Sequence, residues 1–451
     1  MKCRAPAPVV AALAPASAPS DDAIVREDVR TVNAEAARPA APDPAHDHAA
    51  SDSKVPFSLF EGDGLHFVYA QLGLSNYARF HLLKRCLLVV MLTWVALAVL
   101  ALRQGLVGGG ISPTNFFADF AAYAQFLLAM PLFVLAEPII DSSTRQAAEQ
   151  FLACGIIKSE DASKVQRVHA MIQSARKSHW PDLACVLTAY GLSLAILVPI
   201  FGSHPMPEWH AQGDAQSRVL TAAGIWEFFV ALPLLNYTWL RFVWKILLWI
   251  FYLYRVSRLH LDLHSTHPDL TGGIGFISEA QGRFAIYILA FGISNIAATV
   301  GYEIAILHYD FSVMSVWSPI VGFTIGAPLL FTLPLFMFTK QLFRSKKRAL
   351  AVYRQRVTEH SRRLEERWLT GNDNAQPTQT TQEEMRELAE FTTLGTMFTR
   401  IEQMRVVPLD LRSLGQLVGS TLGAIATLLP LLHANGALAS IFQAISKLLA
   451  R

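Results

Sequence analysis

The chain has 451 residues, 52% hydrophobic and only 16% charged, with a mean hydropathy of +0.33, where soluble domains carry about 25% charged residues. That balance is the balance of a membrane protein. A net charge of +3, with the basic residues beside apolar segments, argues against a nucleic-acid partner, and four widely spaced cysteines (Cys3, Cys86, Cys154, Cys185) argue against a zinc ribbon or a disulfide-stapled secreted domain.

Residues 1–54 are rich in Ala, Pro and Asp and nearly free of aromatics, so they cannot bury enough surface to offset ordering entropy and read as a disordered tail. Lys2 and Arg4 before VVAALAPASA imitate a cleavable signal, but the apolar run is short and broken by prolines. His46 and His48 are metal donors by type in a floppy tail.

A span needs about 20 mostly apolar residues. Six stretches qualify, near 86–104, 119–140, 182–202, 222–254, 284–307 and 316–340. Lys and Arg crowd the region before the first span (Arg79, Lys84, Arg85), the second connection (Arg145, Lys158, Lys164, Arg167, Arg176, Lys177), the fourth (Arg255, Arg258, Arg283) and the region after the sixth span (Arg344, Lys346, Lys347, Arg348). The first, third and fifth connections hold only Arg103 and Arg218, so the alternation puts both ends of the six-span unit in the cytoplasm. A further apolar run at 414–433, broken by Pro430 and "ANG" and followed by a short amphipathic piece, reads as a membrane-associated hairpin or a seventh span.

The expected architecture is all-α, a polytopic membrane bundle of about six transmembrane helices with cytoplasmic helical extensions. It divides into the tail 1–54, a membrane unit 55–343 with a helical cytoplasmic insert at 141–181, cytoplasmic helices 344–408 with a polar linker 371–382, and the apolar hairpin 409–451. "KKRALAVYRQRVTEHSRRLEERW" continues the sixth span as a charged helix, and "EEMRELAEFTTLGTMFTRIEQM" resumes a helical period. These helices either pack on each other or a second subunit, or dock a cytoplasmic protein.

Between the fourth and fifth spans lies "LHSTHPDLTGGIGFISEAQGRF". Ser278 and Gln281 have capping-box spacing, which starts the fifth helix there and leaves "HPDLTGGIGF" as a loop. Gly272, Gly273 and Gly275 permit positive φ and close backbone approach ahead of a helix N-terminus. The loop is thus a structural turn or a place for an anion or headgroup, with His267, Asp269 and the nearby Arg255, Arg258 or Arg283 as partners. The spacing is not that of a nucleotide-binding fingerprint, and the His-Pro-Asp tripeptide is not set in the soluble hairpin of a co-chaperone. A metal reading uses His260 and His264 on one helical face with His267 following, beside Asp262 and Asp269. No cofactor is clearly implied.

Ionisable residues within the spans are candidate pathway groups. Arg241 and Lys245 share a face of the fourth span. If that span begins near Trp226, Arg241 lies about 22 Å in and both side chains snorkel among the tryptophans; if its core is "NYTWLRFVWKILLWIFYLY", both face the bundle interior and suggest an anion pathway. Glu227 and Glu303 near the outer ends, with Glu137 and Lys340 near the inner ends, line two vestibules or sit among headgroups. Pro131, Pro138, Pro199, Pro233, Pro319, Pro328 and Pro334 kink four spans, and Gly322 and Gly326 form G-x-x-x-G in the sixth, for close packing or for exposing backbone to a substrate. No Ser/His/Asp set, HExxH or paired acid dyad appears, so an enzyme is the least supported class.

"YRVSRLHLDLHSTHPDLTGGIGFI", "KKRALAVY" and "FTRIEQMRVVPLD" resemble three landmarks of a bacterial family of multi-pass membrane proteins with no assigned function, over roughly residues 65–451. Its most specific piece is the His-Pro-Asp-x-x-Gly-Gly-x-Gly-Phe loop. Where that family has basic and small residues after the Asp, this chain has Leu270 and Thr271. The resemblance implies a bacterial cytoplasmic membrane and supplies no substrate. Two functions remain open: a channel- or transporter-like bundle for a small ion or solute, or a membrane-anchored sensor or assembly component acting through its cytoplasmic helices, with the lipid bilayer, a second copy or a cytoplasmic protein as partners.

Overall fold

The computed structural model describes residues 57–434 apart from 63, 75–76, 78, 106–114, 203–206, 214–217, 308–313 and 370–376. The expected tail, with His46 and His48, and the amphipathic end after residue 434 lie outside the described residues. The described residues are helical almost throughout. A short helix α1 (Gly64–Gln71) precedes the long α2 (Arg79–Arg103) and α3 (Phe120–Ala153). Next come α4 (Ser159–Lys177), α5 (His179–Gly202), a two-residue antiparallel hairpin of β1 (Ala211–Gln212) on β2 (Val219–Leu220), and α6 (222–256). Then follow α7 (Phe276–Ala305), α8 (314–369), α9 (Pro377–Gln403), α10 (Leu411–Ala426) and the short α11 (Leu429–Ala434).

Among the described residues, five helices are long and apolar enough to cross a membrane: α2, α3, α5 over His179–Leu197, α7, and α8 as Met314–Glu366. The sixth span expected from the sequence, near 222–254, is α6. It is absent from those five because Glu227, Asn236, Arg241 and Lys245, with its tryptophans and tyrosines, dilute its hydropathy. It is nonetheless a bundle helix, packed along α5, with Leu248, Trp249, Tyr252 and Leu253 buried.

Proline shapes these helices in two ways. Wide π-turns stand immediately before Pro131 in α3 (Tyr123–Ala129) and Pro233 in α6 (Glu227–Ala231), where the missing proline N–H leaves a carbonyl to be met otherwise. Pro334 sits in a 3-10 turn, Leu333–Phe338, joining the apolar half of α8 to its charged half. Pro138, Pro319 and Pro328 lie inside regular helix. Gly322 and Gly326 do not grip a neighbour: a Cβ on either would meet nothing within 4 Å. Close packing falls on Gly292 of α7 instead, where a Cβ would come within 2.6 Å of Ala424 in α10 and of the Phe323 ring.

That contact shows how the C-terminal apolar run is used. Helix α10 packs against both α7 and α8, burying Leu417, Thr421 and Ala424, and breaks at Thr427–Leu428 before α11. The charged extension of α8, Thr339–Leu369, rises about 46 Å at 1.5 Å per residue and pairs with α9, with Tyr353 Oη 3.8 Å from Met397 Sδ. Helix α9 begins already at Pro377, inside the stretch expected as linker. The other extension, α4, packs on α6.

Candidate functional site

Three helices bring charge into the bundle. Glu137 on α3, Arg85 on α2, and Arg241 and Lys245 on α6 are 2%, 0%, 1% and 1% exposed. Glu137 takes Arg241 Nη1 at 3.0 Å on Oε2, and Arg85 Nη1 lies 3.7 Å from Oε1. Tyr77 Oη donates to the same Oε1 at 2.9 Å, and Arg85 Nε donates to the Leu74 carbonyl at 2.8 Å. The Arg85 guanidinium also lies over the Tyr69 ring, 4.3 Å from its centroid, and burial, with the Glu137 carboxylate next, pushes the Tyr69 phenol up to about 12. Taking such charges out of water costs several kcal/mol each, and only mutual pairing with good hydrogen bonds offsets it. Arg241 and Lys245 therefore do not snorkel; they face the interior.

This polar layer is closed by the segment 57–61, which is irregular yet buried over 57–60. Asp141, one turn beyond Glu137, accepts the Leu59 amide at 2.7 Å, the Phe60 amide at 3.3 Å and the Ser58 hydroxyl at 2.9 Å. Arg145 bridges Asp141 at 2.9 Å and Glu61 at 2.7 Å, and Arg176 of α4 donates to the Ser58 carbonyl at 2.7 Å. Phe60 sits against Phe242 with Arg241 and Lys245 over its ring at 5.2 and 5.9 Å, while Phe57 packs on Tyr252 and Trp249. Non-helical backbone among membrane helices is tolerated only when buried in protein or lining a cavity. Here Asp141 supplies the acceptors that make it so.

At the opposite end, Glu227 meets a histidine that sequence reasoning missed. His210 Nε2 lies 2.9 Å from Glu227 Oε2, and its neighbour Trp209 donates from Nε1 to Asp119 at 3.1 Å. Burial lowers the His210 imidazole, but the Glu227 carboxylate, followed by Asp119, more than reverses this and the net shift is upward. Asp119 also caps the start of α3, accepting the Ala121 and Ala122 amides. Glu303 is half-buried and is not part of this pair, and Lys340 is exposed on α8 and does not join Glu137.

The glycine loop resolves into an internally satisfied turn. Asp269 accepts amides from Thr271 (2.9 Å), Gly273 (3.1 Å) and Gly275 (2.9 Å) and the Thr271 hydroxyl (2.7 Å), and lies 2.8 Å from His267 Nδ1. The amides that an outside anion would use are thus held by the loop's own carboxylate. Burial raises Asp269, and the hydrogen bonds from Thr271, Gly275 and His267 outweigh it, so its carboxyl is held below the usual range. Gly272 and Gly273 have φ of +69° and +95°, and Leu270 +55°; Gly275 is helical and serves close approach, since a Cβ there would lie 3.0 Å from Thr271 Oγ1. Arg255 and Arg258 are exposed, with guanidiniums over the Phe251 and Tyr254 rings, and Arg283 pairs with Glu279.

The capping box does not form. Helix α7 starts at Phe276, so Ser278 and Gln281 are inside it and have tertiary partners: Ser278 Oγ accepts the Asp410 amide at 2.9 Å, and Gln281 accepts Trp249 Nε1 at 3.0 Å and donates to the Phe331 carbonyl at 2.6 Å. The Arg405 amide donates to the Leu270 carbonyl at 2.7 Å. The loop therefore clamps the connector between α9 and α10. The metal reading loses its helical premise, since α6 ends at Val256 and His260 and His264 lie in extended chain; among the described residues no group of three His, Cys, Asp or Glu side chains is placed to hold an ion. Comparisons of the chain with protein-family models, with curated proteins and with solved structures give no match.

Proposed function

We propose that the bundle is a transport protein for a small ion or solute, crossing a bacterial cytoplasmic membrane six times, α6 included, with its N-terminus and both helical extensions in the cytoplasm. The single observation that supports this is the Arg85–Glu137–Arg241 cluster inside the bundle, covered by irregular chain at 57–61. Broken backbone and paired charge among membrane helices are what transporters use to hold and release a solute. On this reading a solute reaches the cluster only when Ser58–Phe60 leave Asp141.

The test is flux through the purified chain in sealed liposomes across a panel of small cations and anions. Flux in the parent that changes in rate or selectivity with Arg241→Lys, a charge-retaining variant, is the expected result. A silent panel with insertion verified overturns it.

A second reading is favoured by the α8–α9 hairpin, which carries Val352, Met385 and Leu388 exposed. On that reading the chain is a membrane-anchored sensor or assembly component, and deleting 345–405 abolishes its role while insertion persists. The likeness of the glycine loop to the bacterial family supports the membrane setting of both readings.

A further inference from the structure

Beside the glycine loop, outside the closed polar layer, the chain leaving α6 and the start of the charged half of α8 enclose an open groove of about 1010 Å³, at the upper end of the range of about 300–1,000 Å³ for small-ligand sites. Lys340, Arg344 and Arg348 follow one another at four-residue intervals and so form one stripe on α8, and Arg258 faces them from the other wall. Asp262 is the one carboxylate among the lining residues, so the groove carries an excess of positive charge.

Two observations indicate what it takes. The lining passes from Met337, in the 3-10 turn that ends the apolar half of α8, to these cations, so apolar and cationic walls adjoin within one site. Gln341, also in the lining, donates its amide to the Ser257 and Leu259 carbonyls at 2.6 and 3.0 Å, so the two walls are fastened to each other. A ligand with a phosphate and an apolar tail matches a held groove of this kind.

We propose that this groove binds the phosphate of an anionic headgroup, with Arg344 and Arg348 as its principal cations. Guanidinium–phosphate pairs are charge-assisted and bidentate, and basic pockets at the cytoplasmic edge of membrane helices suit anionic lipid heads. This rests on the membrane character of α8 and not on transport, so it stands or falls separately from the flux result.

The probe is a short-chain phosphatidylglycerol carrying a fluorophore on its tail, titrated by anisotropy against the full-length protein in detergent, with the phosphatidylcholine of equal chain length as reference. The parent is expected to favour the anionic lipid by about tenfold or more, less so in high salt. The paired substitution Arg344→Gln with Arg348→Gln removes that preference, and Arg344→Lys with Arg348→Lys, which keeps the charge, retains part of it. Arg362→Gln with Arg363→Gln, exposed further along α8, leaves it unchanged. Displacement of the probe by millimolar inorganic phosphate supports the site and assigns its phosphate to a soluble source; resistance to it assigns a lipid. Equal binding of the two lipids by the parent, or undiminished preference in the Arg344/Arg348 glutamine variant, overturns the proposal.

Discussion

Arg241 and Glu137, on α6 and α3, are joined by a 3.0 Å ion pair in which neither side chain is more than 3% exposed. Removing one member of a buried pair costs about 3–5 kcal/mol, because the other keeps its desolvation penalty, whereas replacing both by apolar groups costs far less. Glu137→Leu withdraws the carboxylate that Arg85 and Arg241 share and is expected to destabilise by about that amount. Arg241→Leu behaves similarly, and Glu137→Leu with Arg241→Leu costs clearly less than the sum. Denaturant unfolding in detergent of the three variants and the parent measures the coupling; strict additivity would show that the pair stabilises nothing.

Asp269→Asn is expected to cost about 1–3 kcal/mol at neutral pH, since a neutral amide replaces an acceptor that serves three amides and a hydroxyl. The Asp269 carboxyl is held below its unfolded value of 3.8. Its contribution is therefore complete above that value and is lost as pH falls through the lower, folded one. The gap between parent and variant in unfolding experiments should close on acidification below about pH 4. A gap unchanged down to the folded value would mean that the carboxylate charge is not what holds the loop.

Gly273→Val tests the backbone of the same turn. At φ +95° a β-branched residue is strained by about 1–3 kcal/mol, and the strain falls on the segment whose Leu270 carbonyl holds the Arg405 amide. Faster proteolysis between α9 and α10 in the purified variant is the expected readout. A variant that resists protease like the parent shows that the turn tolerates the side chain.

The helical architecture was legible because apolar runs of span length are local properties of the sequence. The site was legible only on one side. The four-residue spacing of Arg241 and Lys245 put them on one face, but which way that face turned depended on Glu137, far away in the chain. Arg85 was read as a loop charge before the first span, because the apolar run begins near residue 86; α2 in fact starts at Arg79 and carries Arg85 inside. Ser278 and Gln281 matched a capping pattern that tertiary partners overrode. The segment 57–61 and His210 gave no signal, since a short irregular stretch and an isolated histidine acquire meaning only from Asp141 and Glu227.

His210 makes the end of the bundle bearing Glu227 sensitive to alkali. Burial alone would keep it neutral, but Glu227 at 2.9 Å and the nearby Asp119 lift the imidazole above its unfolded value of 6.5. A raised folded value means that the stabilisation is complete below about pH 6.5 and is lost as pH rises through the folded value. The melting temperature of the parent is expected to fall across that alkaline range, while His210→Gln, which keeps a hydrogen-bonding group but no charge, melts lower at pH 6 and shows a flatter profile. A variant whose profile parallels the parent's would assign the pH dependence to other groups, and His210 would then be a neutral packing residue between Phe228 and Trp209, the two rings it touches edge-on.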